Sequence, residues 1–104
     1  MIGPEFLAVA ALDVLSETAA HAVDVKGRTI LLCLQAGKVF AISARCSHAD
    51  QELTCGAVRN GWISCPAHGA RFDLATGEPL NPPATTPIMT YPVRISGGMV
   101  EVAV

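Results

Sequence analysis

Residues 46–69 read CSHADQELTCGAVRNGWISCPAHG. Within them Cys46-Ser47-His48 and Cys65-Pro66-Ala67-His68 form two hooks, C-x-H and C-x-x-H, with sixteen residues between His48 and Cys65. Each hook offers one soft thiolate and one imidazole, both good ligands for transition metals. Asn60-Gly61, between the hooks, is a strong hairpin-turn signal. It predicts short strands at 57–59 and 62–64 and sets the two hooks side by side at one end of that hairpin. Two cysteines and two histidines then converge on one centre. A structural zinc, a redox cluster and a Cys–His nucleophile are the chemistries such a set can serve.

Outward from this run the chain alternates short β-like segments with turns. Strands are predicted at 6–10 (FLAVA), 19–25 (AAHAVDV), 29–34 (TILLCL) and 38–43 (KVFAIS), with a brief helical turn at 11–15. Lys26-Gly27-Arg28 and Gln35-Ala36-Gly37 are the turns between them. A last hairpin is predicted from 90–96 (TYPVRIS) through Gly97-Gly98 to 99–104 (MVEVAV), and a short strand at 71–73. Pro79, Pro82, Pro83 and Pro87 stiffen the return path and oppose a helix there. The expected architecture is all-β: one domain over 1–104, with base strands at about 6–44 and 88–104 and a loop-rich insertion at about 45–87.

Composition narrows the function classes. Half of the 104 residues are apolar (51%) and 15% are charged, which excludes a disordered chain. A core of this size is modest, so a bound metal would add to stability. The net charge of −2 and the scattered Lys and Arg lack the footprint of a nucleic-acid binder. No apolar run approaches a membrane span, and no basic residue precedes the short apolar stretch 6–12, so no signal peptide is expected. A cytoplasmic location follows as the default, and there four cysteines suggest metal or catalysis before disulfides.

Zinc accepts a Cys2His2 set, but its finger spacing pairs Cys with Cys and His with His. Here each loop mixes the two, which suits a two-iron cluster with both thiolates on one iron and both imidazoles on the other. A nucleophilic pair is poorly supported, since nothing marks an oxyanion hole. At this point the chain resembles the Rieske-type ferredoxins that feed bacterial aromatic-ring dioxygenases. The resemblance rests on CSH and CPAH at their spacing, on Gly56 and Gly61, on HGARFDLATGEPL after the second hook and on TYPVRI near the end. It spans roughly residues 6–104. It implies an antiparallel β-sandwich-like base with an inserted cluster-binding subdomain, and one [2Fe–2S] cluster per chain. Cys46 and Cys65 would bind the inner iron, and His48 and His68 the outer, solvent-facing one.

Departures from one branch of that family refine the expectation. High-potential respiratory members carry a second cysteine in each loop, and the two form a disulfide; Gln51 and Ala67 hold those places here. Those members also aim a Ser and a Tyr hydroxyl at the cluster sulfurs, where this chain has Ala70 and Phe72. Each missing hydroxyl removes a hydrogen bond that would stabilise the reduced, more negative state. The expected potential therefore lies near the lower end of the Rieske range, around −150 mV.

The resemblance implies a one-electron carrier and not an enzyme. Its partners would be an NAD(P)H-dependent flavoprotein reductase and a terminal Rieske oxygenase, docking transiently near His48 and His68. Two alternatives remain open: a small Rieske subunit of a nitrite-reductase-type complex, and a zinc-stabilised structural module. Of the other residues singled out, Cys33 reads as a buried small hydrophobe and Cys55 as a free thiol. His21 is expected to face solvent, and Trp62 to pack under the hairpin. Asp50 and Glu52 read as a solvated loop or as a contact for a basic partner patch. Pro82-Pro83 reads as a rigid turn or, by the resemblance, a third loop shielding the cluster.

Overall fold

A computed structural model of the chain describes residues 5–45, 53–54, 56–66, 69–81 and 86–104. Strands β1 (Phe6–Ala11), β2 (His21–Val25), β3 (Arg28–Gln35) and β4 (Lys38–Ser43) lie before the ligand-rich run. Strands β5 (Val58–Arg59), β6 (Trp62–Ser64) and β7 (Arg71–Asp73) lie in the middle. Strands β8 (Thr90–Tyr91), β9 (Val93–Ser96) and β10 (Met99–Ala103) close the chain. All named pairs are antiparallel. One 3₁₀ turn, Leu12–Val14, occupies the place of the expected helical turn. Among the described residues no helix is long and apolar enough to cross a membrane.

Three sheets result, in the orders β1-β10-β9, β2-β3-β4-β8 and β5-β6-β7. The first two form the base. Alternation sends Ile30 and Leu32 of β3 and Ala41 of β4 to one face, where they meet Val100 and Val102 of β10 in a buried core. Leu31, Cys33 and Ile42 point to the opposite face, into a second core with Val58, Ile63, Phe72 and Leu74 of the middle region. Strand β3 is thus apolar on both faces, and Ile30 through Cys33 are fully buried. Each such aliphatic side chain contributes about 1.5–3 kcal/mol by leaving water.

The hairpin turns follow their residues. Lys26-Gly27, Ala36-Gly37, Asn60-Gly61 and Gly97-Gly98 all place two successive residues at positive φ, the combination that tight two-residue hairpins need. The predicted strand 90–96 is the main correction. It breaks at Pro92, which lacks an N–H for a ladder. Before the break β8 pairs with β4; after it β9 pairs with β10. The Pro92 carbonyl accepts from the Ala103 N–H at 3.0 Å, so the proline marks the point where the chain changes sheets. Strand β2 begins at His21 rather than residue 19, and Ala19 forms an isolated bridge with Ala57.

His21 differs from expectation. It is half-buried and shares the inner side of β2 with Val23 and Val25, opposite Leu32; Ala22 and Asp24 are the exposed positions. Trp62 differs too. Ile63 is the residue that packs beneath the small sheet, and Trp62 lies half-buried on its outer face under the Arg71 guanidinium, 5.1 Å from the ring centroid. Cys33 is fully buried as expected, and desolvation pushes its thiol up from 9.0 to about 12.

Candidate metal centre

Of the four expected ligands, Cys65 is described. Cys46, His48 and His68 lie outside the described residues, as do Asp50, Gln51, Glu52, Cys55, Ala67, Pro82 and Pro83. What the structure shows is how the ends of the segments carrying the expected ligands are held.

The segment carrying the first hook leaves β4 at Ala44 and returns at Leu53. The Leu53 N–H donates to the Ala44 carbonyl at 2.6 Å, and the Leu53 side chain is fully buried. Entry and exit are therefore pinned together. Gly56 then fixes the return against the second hook. A Cβ there would lie 2.1 Å from the carbonyl oxygen of Ser64, the residue before Cys65, so only glycine fits. Next along, the Ser64 N–H donates to the Ala57 carbonyl at 3.0 Å. The Asn60-Gly61 hairpin thus does what its sequence predicts: β5 and β6 run back to back from the first segment to the second.

The second segment is closed at Cys65 itself. Its N–H donates to the Ala70 carbonyl at 2.6 Å, and its carbonyl accepts from the Gly69 N–H at 2.9 Å. The Cys65 side chain is 1% exposed and packs in the same core as Ala44, Leu53, Ala70 and Phe72. A third segment is tied on by Asn81. Its Oδ1 accepts from the Arg71 N–H at 2.6 Å, and its Nδ2 donates to the Gly69 carbonyl at 3.3 Å. The bases of all three segments, before residues 46, 67 and 82, are thereby gathered at one end of the middle region.

The Asp73 carboxylate caps the turn that follows, accepting from the N–H groups of Ala75 and Thr76. Gly77 passes so close to Ile88 that a Cβ would sit 2.1 Å from its carbonyl oxygen. The Ile88 N–H donates to Gly77, and the Ser43 N–H to Met89, which returns the chain to the base. Gln35 joins the two regions from the other side. Its Nε2 donates to the carbonyls of Glu17 and Leu34, and its Oε1 accepts from the Gly61 N–H at 2.9 Å.

These observations fit an iron–sulfur group. Cys65 is a thiol without a disulfide, buried in an apolar core, and a soft thiolate in dry surroundings is the donor such a group takes. Ala70 and Phe72 beside it are fully buried and bring no hydroxyl. Reading the sequence missed Asn81, Gln35 and Gly77. Gln35 had a signal, being the single polar residue at the end of the apolar run ILLCLQ. Asn81 stands directly before the Pro-Pro pair, as a residue fixing the entry to a loop would.

Comparison with known proteins agrees with this construction. The profile of the Rieske [2Fe-2S] domain matches residues 5–92. The chain is similar to the anthranilate 1,2-dioxygenase ferredoxin subunit of Burkholderia cepacia, at 42% identity over 64% of this chain and 62% of that one. It is similar to the ferredoxin component of the naphthalene 1,2-dioxygenase/salicylate 5-hydroxylase systems of a Ralstonia species, at 37% identity over 83% of each chain. Among solved structures, the ferredoxin of carbazole 1,9a-dioxygenase from Nocardioides aromaticivorans superposes with a TM-score of 0.89. It is 36% identical and covers 94% of this chain and 96% of its own. A chain from a complex of reduced oxygenase and oxidized ferredoxin in carbazole 1,9a-dioxygenase is 26% identical. Its TM-score is 0.89, and it covers 97% of this chain and 94% of its own.

Proposed function

The chain belongs to the Rieske [2Fe–2S] domain family and is of the ferredoxin-component kind that carries electrons in aromatic dioxygenase systems; from that premise we propose which residues hold its cluster and which partners it serves. Cys46 and Cys65 hold the inner iron, and His48 and His68 the outer one. The base at 6–44 and 88–104 and the insertion at 45–87 act as one unit. Bound, a group of this kind takes up and releases one electron. The chain's own residues do the rest: Leu53, Gly56, Asn81 and the Cys65–Ala70 closure fix the loop ends, and the apolar core keeps water from the Cys65 side.

The electron comes from an NAD(P)H-dependent flavoprotein reductase and goes to a terminal aromatic-ring oxygenase in the cytoplasm. Both dock transiently around His48 and His68. The observation that carries this reading is Cys65, a buried thiol at the point where three pinned loop ends converge. The buried Ala70 and Phe72 support a low potential, because neither can donate a hydrogen bond to cluster sulfur.

The test is direct. Protein purified under nitrogen should be red-brown, with two irons and two sulfides per chain, the stoichiometry of the [2Fe–2S] unit. Its reduced form should show the low average g that imidazole ligation produces, and a midpoint near −150 mV. Cys65→Ser should lose most of the iron. A colourless protein holding one zinc would refute the reading. A midpoint above about +100 mV, toward the respiratory end of the range, would sink the low-potential argument.

A further inference from the structure

Beyond β7 the chain runs back along the edge of the small sheet. The Asp73 N–H donates to the Glu78 carbonyl at 2.9 Å, Phe72 bridges Pro79, and the Leu80 N–H donates to the Arg71 carbonyl at 2.8 Å. A regular antiparallel pair at Arg71 and Leu80 would exchange two bonds, the second from the Arg71 N–H to the Leu80 carbonyl. That N–H goes instead to Oδ1 of Asn81, at 2.6 Å. The last rung of the ladder is thus made by a side chain. The next residue, Pro82, has no N–H to offer a further one.

The other end of the same amide reaches the second hook. Asn81 Nδ2 donates to the Gly69 carbonyl at 3.3 Å. The two partners fix which way the amide points, since an N–H needs its oxygen and a carbonyl needs its NH2 group. Gly69 ends the turn that contains Pro66, Ala67 and His68: its N–H donates to the Cys65 carbonyl at 2.9 Å, and its φ is +71°. Packing does not hold that corner. Gly69 is exposed, and among the described residues nothing lies within 4 Å of where its Cβ would be. Hydrogen bonds hold it: Gly69 and Ala70 to Cys65, and Gly69 to Asn81.

We propose that Asn81 is a positioning residue for electron transfer. Its amide ties the closing turn of the second hook to the β7 edge, and so sets the place of His68, one residue before Gly69. The proposal rests on the ligand set given above. A side chain that orients a metal ligand through one hydrogen bond is worth about 10–100-fold in metal affinity.

Three variants are compared with the wild type as iron-loaded, full-length protein. Asn81→Leu roughly keeps the volume and removes both bonds. Asn81→Asp keeps an acceptor for the Arg71 N–H and sets a second acceptor against the Gly69 carbonyl. Gln35→Leu removes an amide that bonds across the seam opposite the ligand end, and controls for lost stability alone. Asn81→Leu should release iron to excess EDTA about tenfold faster than the wild type. Pulsed EPR of its reduced form should show altered couplings to the imidazole nitrogens. Its midpoint should rise, because water admitted beside Cys65 stabilises the more negative reduced state. Asn81→Asp should release iron as fast as Asn81→Leu, while its Arg71 N–H stays as protected from exchange as in the wild type. Gln35→Leu should match the wild type in couplings and midpoint. Wild-type couplings and midpoint in Asn81→Leu, or the same changes in Gln35→Leu, would reduce Asn81 to a structural tie and overturn the proposal. Wild-type iron retention in Asn81→Asp would overturn the role of the Gly69 bond. A wild-type protein that holds no iron, or shows no imidazole nitrogen on it, overturns the ligand set and the proposal with it.

Discussion

The base and the insertion are built by different means. The base holds its shape through long ladders: β3 pairs along its length with β2 on one side and β4 on the other. Its turns are tight and open to solvent, and a Cβ at Gly27 or Gly37 would meet nothing within 4 Å. Among its described residues the insertion has three strands of two or three residues each. It depends on single ties: Leu53 to Ala44, Cys65 to Ala70, Asn81 to Gly69 and Arg71, and Ile88 to Gly77. Two of its glycines, Gly56 and Gly77, are crowded by carbonyl oxygens, while Gly61 and Gly69 stand open like those of the base. A ladder spreads the loss of one bond over many neighbours, whereas each of these ties has only one or two bonds beside it. The lesson is that the region carrying the expected ligands takes its precision from point contacts and borrows its stability from the base.

The sharpest way to break that comparison uses two glycines of nearly equal φ, +79° at Gly27 and +78° at Gly77. Alanine at Gly27 meets only the left-handed backbone penalty, about 1–2 kcal/mol. Alanine at Gly77 adds a Cβ 2.1 Å from the Ile88 carbonyl, and forcing the backbones apart should bring the loss above about 3 kcal/mol. Urea denaturation of the iron-loaded protein measures both. Equal losses would mean that crowding does not distinguish the regions. Iron retention separates them further: Gly77→Ala should shed iron at temperatures where Gly27→Ala retains it.

The same contrast explains what could be read from the sequence. The base strands were legible because alternation and apolar runs report burial directly, and the turns because Lys-Gly, Ala-Gly, Asn-Gly and Gly-Gly announce positive φ. The break at Pro92 was missed because its sequence neighbours, Tyr91 and Val93, both favour a strand; only the missing N–H of Pro92 spoke against continuity. His21 was misplaced because its polarity outweighed its register with Val23 and Val25. In the insertion, periodicity has almost nothing to work on over strands of two or three residues. There the motif carried the reading, and Cys65 is where the described structure meets it. Asn81 and Gln35 act through single hydrogen bonds to backbone groups distant in sequence, and no local pattern announces such a partner.

Gln35 offers a second, smaller test. It is the side chain that bonds across the seam opposite the ligand end, joining β3 and the Glu17 carbonyl to the Gly61 turn. Gln35→Leu keeps the volume roughly constant and leaves the Gly61 N–H without its acceptor. The expected loss is about 1–2 kcal/mol, since Gly61 is only half-buried and water can partly replace the amide. Amide exchange gives the finer reading. Gly61 and Leu74, whose N–H donates to the Gly61 carbonyl, should exchange faster, while Leu32 in the middle of the base sheet should not change. Faster exchange in both places would show that the regions unfold as one body.

The smallest effect probes how dry the seam is. Cys33 belongs to the base by chain position, yet its side chain joins the insertion-side core with Leu31 and Ile42. Burial there raises its thiol from 9.0 to about 12. The unfolded chain therefore loses this proton from about pH 9 upward, while the folded chain keeps it until about pH 12. Within that window the unfolded state binds fewer protons, so stability falls as pH rises, by up to about 1.4 kcal/mol per pH unit. Below pH 9 the group contributes no slope. Comparison with Cys33→Ala isolates the effect from every group the two proteins share. The stability difference between wild type and variant should be constant from pH 7 to 9 and shrink above it. Equally, the native thiol should resist alkylation at pH 8 while the urea-unfolded chain reacts. A difference that stays flat to pH 11 would mean that water reaches Cys33, and that the two regions meet across a wet seam rather than a shared core.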